Sequence, residues 1–208
     1  MKKLLILLLL PLFSFGQELN KTNDGYTEVV DIELSKKEIY QKVNEWVALN
    51  YNSAQDVIQL NTEDKVIVKG NFTINFKVQK YVFTYRIHNS IVFSIRDNKY
   101  KIDLVPNSAS SDGVGNVDSS IFKQYISDVI YTKDEFLKYS SETAKESYLK
   151  LGYTEKKADK WVDKYVVNMI DDSYNLYMNN KPLWDDEIAS TFKSIKESIS
   201  SSNTDDDW

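Results

Sequence analysis

SKKEIYQKVNEWVALNY, residues Ser35 to Tyr51, reads as one amphipathic helix. Ser35 is a suitable N-cap, and Glu38 three residues on completes a capping box in which each side chain satisfies a backbone N–H left open by the first turn. Ile39, Val43, Trp46, Val47 and Asn50 fall on one stripe, while Lys36, Lys37, Lys42 and Glu45 fall elsewhere. Such a stripe needs an apolar surface to cover, and the segments on either side supply it.

Upstream, Tyr26, Glu28, Val30, Ile32 and Leu34 alternate with Thr27, Val29, Asp31 and Glu33, the pattern of a half-buried strand leading into the helix. Downstream, Asp56 to Leu60 reads as a short strand and Asn61 to Asp64 as a polar turn. The clearest period of two follows. Val66, Val68, Phe72, Ile74, Phe76 and Val78 take even positions, and polar residues take the odd ones except Ile67. Gly70 occupies an even position without a side chain, which suits a bend or a close approach. From Phe83 to Ile95 the apolar residues keep to odd positions, which excludes a two-residue hairpin at His88–Asn89 but not a three-residue turn. Asp97–Asn98 is a type I′ turn signal leading into Tyr100, Ile102 and Leu104. Residues 26–106 therefore predict an α+β domain: a strand, the helix, then four or five mostly antiparallel strands whose dry face the helix covers.

Residues 107–119 (NSASSDGVGNVDS) read as a flexible loop, and a helical extension over 120–200 follows. Its patterns are Lys133 to Leu151, then a helix capped by Thr154 with a stripe from Ala158 to Ile170. After a break at Pro182 comes the stripe Ile188, Phe192, Ile195, Ile199. Residues 201–208 read as a disordered acidic tail.

The 208 residues are 42% hydrophobic and 13% aromatic, ample for a core. Lys2 and Lys3 precede an apolar run, with Ser14 and Gly16 at signal-peptidase positions, so residues 1–16 are expected to be a signal peptide cut between Gly16 and Gln17. Residues 17–25 then form a polar lead-in. The run is shorter than the roughly 20 residues that cross a bilayer, so no stable membrane insertion is expected after cleavage. The expected location is periplasmic or secreted. With no cysteine, disulfides, thiolate metal sites and a lipidated cysteine anchor are excluded. Residues 17–106 are charge-balanced and the acidic excess lies beyond them, so no nucleic-acid binding is expected.

On these residues, the segment from about Tyr26 to Leu104 resembles the domain-of-unknown-function 4468 family of exported Bacteroidota proteins. The matching residues are Glu28-Val29-Val30, Ser35-Lys36, Ile39-Tyr40, Trp46, Asp56-Val57-Ile58-Gln59, Lys69-Gly70 and Ile95 to Lys101. The resemblance implies a fold like TATA-binding protein, a curved antiparallel sheet with helices on one face, and no established activity or catalytic residues. Asn98 stands where the family tends to have glycine, and asparagine also tolerates the positive φ of the turn.

Chemistry-bearing groups are few. His88, the single histidine, shares a wet face with Arg86 and Ser90 and reads as a solvated strand residue; no metal or other cofactor is expected. Asp171-Asp172, Asp185-Asp186-Glu187 and Asp205-Asp206-Asp207 read as solvated helix ends or tail rather than calcium sites. Asp112, Asn116 and Asp118 echo a calcium loop whose twelfth position is Lys123, which argues against one. The candidate binding face is the wet side of the sheet: Lys65, Lys69, Asn71, Thr73, Asn75, Lys77, Arg86, Arg96, Lys99 and Lys101. The alternative reading of those cations is solubility and edge protection. The preferred expectation is an exported, non-catalytic binding module for an envelope protein, peptide or glycan. The alternatives are a carboxylate-dependent envelope hydrolase, or self-assembly into oligomers through the C-terminal helices.

Overall fold

The computed structural model describes residues 19–78, 81–111, 115–118, 123–126 and 130–201. The signal-peptide and tail expectations lie outside them.

Strand β1 (Asn20–Lys21) pairs with β2 (Tyr26–Asp31), which leads into α1 (Lys36–Asn50). The short helix α2 (Ala54–Val57) precedes β3 (Ile58–Thr62). Then β4 (Lys65–Val78), β5 (Tyr81–Arg96) and β6 (Lys99–Ser111) form a meander, followed by β7 (Gly115–Asp118). The sheet is antiparallel throughout, in the order β1-β2-β6-β5-β4-β3, with β7 also pairing with β6. Helix α1 thus carries the chain from one side of the sheet to the other. Helices α3 (Lys123–Ile126), α4 (Lys133–Lys150), α5 (Glu155–Tyr165) and α6 (Ile170–Ser200) complete the described chain.

The capping box forms as expected: Ser35 Oγ accepts from the Glu38 N–H at 3.3 Å, and a Glu38 carboxylate oxygen accepts from the Ser35 N–H at 2.8 Å. Ile39, Val43, Trp46 and Val47 are buried against the even positions of β4 and the odd positions of β5. Ser35→Ala removes one cap acceptor and is expected to lower stability by about 1 kcal/mol, read from the urea midpoint at unchanged slope. A cost near zero means that Glu38 alone orders the first turn. At the β5–β6 turn Asn98 has φ 62°, the left-handed conformation that asparagine tolerates.

Six details depart from the sequence expectations. Part of the lead-in is structured, because Asn20 and Lys21 find the edge of β2. Residues 107–111 continue β6, and 115–118 return beside it as β7, so much of the expected loop belongs to the sheet. Composition hid this, since small polar residues suit a loop as well as a wet strand. The bulge also hid it: His88 faces Ser108 while Asn89 faces Pro106, making Asn107 the extra residue, so burial passes from even positions to Ala109. Asp56 and Val57, the first two residues of the expected strand, instead end a helical turn over Ala54–Val57, which Ser53 Oγ caps by accepting from the Asp56 N–H at 3.4 Å.

Helix α1 does not cover the sheet alone. Helix α6 lies beside α1 on the dry face, with Tyr177, Trp184, Ile188, Phe192, Ile195 and Ile199 buried in the same core. The helix also runs unbroken through Pro182. Pro182 is exposed, so its ring is accommodated on the solvent side, while buried residues on either side hold the axis. The stripe expected from Ala158 to Ile170 is divided. Helix α5 ends at Tyr165, and a 3₁₀ turn over Val167–Met169 leads into α6.

Candidate functional site

All described helices that pack on the sheet pack on its dry face, and the opposite face is open among the described residues. Lys65, Lys69, Asn71, Thr73 and Asn75 of β4 are exposed there, together with Arg86 of β5. The register sets them in cross-strand rows: Lys65 beside Ser94 and Lys101, Asn71 beside His88 and Ser108, Thr73 beside Arg86 and Ser110, and Asn75 beside Thr84. Several are already engaged. Thr84 donates to Asn75 Oδ1 at 2.8 Å, and His88 Nε2 lies 3.1 Å from Ser110 Oγ. Lys101 pairs with Asp103 at 2.7 Å, and Lys99 with Asp31 at 3.6 Å. Arg96 and Lys99 are exposed at the β5–β6 turn, away from the Asn71–Thr73 rows. The side chain of Lys77 lies outside the described residues.

The acidic clusters are spread among partners. Asp171 pairs with Lys133, and Asp185 pairs with Lys181 and, at 3.4 Å, with Lys21. Burial lowers the Lys181 pKa against the pull of Asp185. Asp205, Asp206, Asp207 and Asp112 lie outside the described residues, as do the side chains of Asn116 and Asp118.

A second feature lies on the other side of the same sheet. On β5 every buried odd position is apolar except Asn89; on β4 every even position carries an apolar side chain except Gly70. The register puts the two opposite each other, with Pro106 next in line, so a row of Gly70, Asn89 and Pro106 crosses the middle of the dry face. Tyr51, at the end of α1, lays its ring over Gly70: a Cβ there would collide with the hydroxyl and lie 2.8 and 2.9 Å from ring carbons. Above this row α1 and α6 part, leaving a cleft of about 390 Å³. Trp46, Asn50 and Tyr51 form its α1 wall, Glu187, Ser190, Thr191 and Ser194 its α6 wall, and Phe72, Asn89 and Ile91 its floor.

Polar and apolar groups are mixed in the cleft. Trp46 and Tyr51 meet edge-on at 5.9 Å, and Trp46 Nε1 donates to Ser194 Oγ at 3.2 Å. Asn50 donates to the Trp46 carbonyl at 2.8 Å. Burial raises the Tyr51 phenol and the Glu187 carboxyl above their ordinary pKa values. Glu187 is the single carboxyl group among the lining residues. Asn89 is 3% exposed and its Oδ1 has no hydrogen-bond partner among the described residues.

The cleft reaches Asn71 and Thr73 because β4 has an incomplete edge there. Strand β3 pairs with β4 only from Lys65 to Val68, and β4 continues to Val78. Lys65 directs both backbone groups towards Thr62, whose Oγ1 accepts from its N–H at 3.2 Å and donates to its carbonyl at 3.1 Å. The β4–β5 register is unbroken, so the backbone groups of Lys69, Asn71, Thr73 and Asn75 point the same way, into a space with no strand among the described residues.

With this geometry in view, residues 26–105 match the family described as "Domain of unknown function (DUF4468) with TBP-like fold". This segment is a DUF4468 domain. It spans β2 to most of β6, and so includes α1, the Gly70–Asn89 row and the open half of β4. The α6 wall of the cleft lies beyond the matched DUF4468 segment. The chain is similar to a crystal structure of a DUF4468 family protein from Bacteroides ovatus, with 12% identity, TM-score 0.49, and coverage of 89% of this chain and 92% of that one. It is also similar to a TBP-like protein from Parabacteroides distasonis, with 16% identity, TM-score 0.39, and coverage of 65% and 91%. No curated protein matches the chain. Among the described residues no helix is long and apolar enough to cross a membrane, and no three metal-ligating side chains converge.

Lys65, Lys69, Asn71, Thr73, Asn75 and Arg86 are exposed on the side of the sheet that alternation predicts, whereas the cleft has no counterpart in the sequence expectations. Asn89 and Gly70 were detectable as the exceptions to two otherwise regular alternations. The α6 wall was not detectable, since nothing local says that Glu187 and Ser194 approach Trp46.

Proposed function

We propose that this protein is an exported, non-catalytic binding module of the bacterial cell envelope, engaging an envelope protein, peptide or glycan through the open side of its sheet. The observation that carries this reading is the layering. Two helices bury the dry face, while the opposite face displays ordered rows of amides, hydroxyls and cations without a described element over them. The basic, apolar and small-residue order of residues 1–16 supports export. The binding chemistry would be hydrogen bonding and charge complementarity, which orient a partner without making or breaking bonds.

The test titrates the full chain with short acidic and neutral peptides and with soluble peptidoglycan fragments, followed by backbone chemical shifts. At least one probe is expected to perturb the Asn71–Thr73 and Arg86–His88 rows. Lys69→Glu combined with Arg86→Glu is expected to weaken that probe by about tenfold, roughly 1.4 kcal/mol, while thermal unfolding stays near that of the parent. If no probe perturbs this side of the sheet, the reading fails. Export is checked separately: the secreted protein should begin at Gln17.

A further inference from the structure

The Gly70–Asn89 row is poor packing unless something uses it. A buried amide oxygen without a partner is destabilising, and a leucine would fill the same place without that cost. Asn89 nevertheless stands there, 3% exposed, on the floor of the cleft. Beside it lies the half of β4 whose outward backbone groups meet no strand among the described residues. One ligand chemistry answers both features.

We propose that an extended peptide completes the sheet along Lys69 to Asn75. It would run antiparallel to β4, continuing the line of β3, and lower one side chain into the cleft, where Asn89 reads a polar group. The proposal names the ligand of the binding reading above and rests on it.

Strand addition draws its affinity from main-chain hydrogen bonds and its specificity from pockets under alternate side chains. Both parts are present. Asn71 and Thr73 direct their N–H and carbonyl groups outward. At about 3.3 Å per residue, Lys69 to Asn75 offers a ladder of about 20 Å. The cleft lies under the dry side of that ladder, walled by Trp46 and Tyr51 on one flank and by Glu187 and Ser190 on the other. Gly70 keeps the arrangement possible, because a side chain there would displace the Tyr51 ring from the wall. On the wet side, Lys69, and Arg86 opposite Thr73, favour an acidic residue in the peptide. Strand β3 leaves the position vacant because the chain before Ile58 turns into α2, capped by Ser53.

The test selects a phage-displayed random peptide library on the full chain and synthesises the enriched peptides. Amide exchange at Asn71 and Thr73 is expected to slow by about tenfold on binding. Thr73→Pro removes an outward N–H that makes no ladder bond in the unliganded protein, and is expected to weaken the selected peptide by about tenfold. Asn89→Leu is expected to weaken the same peptide while raising the urea midpoint, a combination that a purely structural role would not produce. The second variant decides the matter if the first fails to fold.

Absence of any enriched peptide overturns the proposal, as does a peptide that binds Thr73→Pro as tightly as the parent. Protection confined to the Arg86 and Arg96 region overturns it too, while leaving outer-face binding intact. A saccharide that perturbs Trp46 and Asn89 where no peptide does assigns the cleft to glycans. Concentration-dependent dimers with protected Asn71 and Thr73 assign the edge to a second copy of this chain. Either result refutes the peptide.

Discussion

Trp184→Ala is expected to lower the unfolding free energy by about 3–5 kcal/mol, among the largest effects of any single truncation in this chain. Trp184 is fully buried, and its ring meets Phe72 of β4 at 5.8 Å and stacks on Tyr125 of α3 at 5.5 Å. Its indole N–H donates to the Tyr26 hydroxyl at 2.6 Å, tying α6 to β2 across 158 residues of sequence. Removing it opens a cavity under three elements and leaves the Tyr26 hydroxyl without that donor. Urea unfolding followed by far-ultraviolet circular dichroism should show one transition moving to lower urea, because α6 and the sheet share one core. Two separate transitions, with the sheet unchanged, would show that α6 is an appendage. Trp184→Phe retains most of the apolar area and loses the donor, so about 1–2 kcal/mol is expected.

Lys196→Met carries the second large expectation, a loss of about 3 kcal/mol. Glu28 lies on the dry side of β2 by strand alternation, is 2% exposed, and meets Lys196 of α6 at 2.6 Å. Its other carboxylate oxygen is buried without a hydrogen-bond partner among the described residues, as is the hydroxyl of Tyr100, two residue pairs along on β6. Burial, reinforced by the Glu28 charge, pushes the Tyr100 phenol well above its ordinary pKa, so it stays protonated. Removing the lysine leaves an uncompensated buried charge, which is why one substitution costs more than two. Glu28→Leu combined with Lys196→Met is expected to regain most of the loss, since apolar groups of similar volume replace the pair. A double-mutant cycle measures the coupling. A cost below about 0.5 kcal/mol for Lys196→Met would mean that water, not Lys196, holds the carboxylate.

These two residues also mark where sequence reading stops. Glu28 is visible as a charged residue in an apolar parity, but its partner stands 168 residues away, on a helix reached after five further strands and five α-helices. Pro182 misled for a related reason. A proline ordinarily ends a helix, yet here its ring faces water and the Tyr177 and Trp184 side chains hold both halves in one core. The strand after Pro106 was masked by a bulge that moves burial from even to odd positions, and by serines compatible with either state.

Local sequence determined what local physics can: the capped helix Lys36–Asn50, the paired faces of β4 and β5, the turn at Asn98, and the outward position of Lys69, Asn71, Thr73 and Arg86. Alternation and capping act between residues a few positions apart, so the chain carries that information wherever it is folded. Tertiary structure alone decided that α6 joins α1 over the sheet, that the pairing of β3 along β4 ends at Val68, and that Asn89 opens into a cleft between the two helices. Those outcomes come from apolar surfaces meeting across long separations, where burial is non-directional and only the assembled core selects a partner.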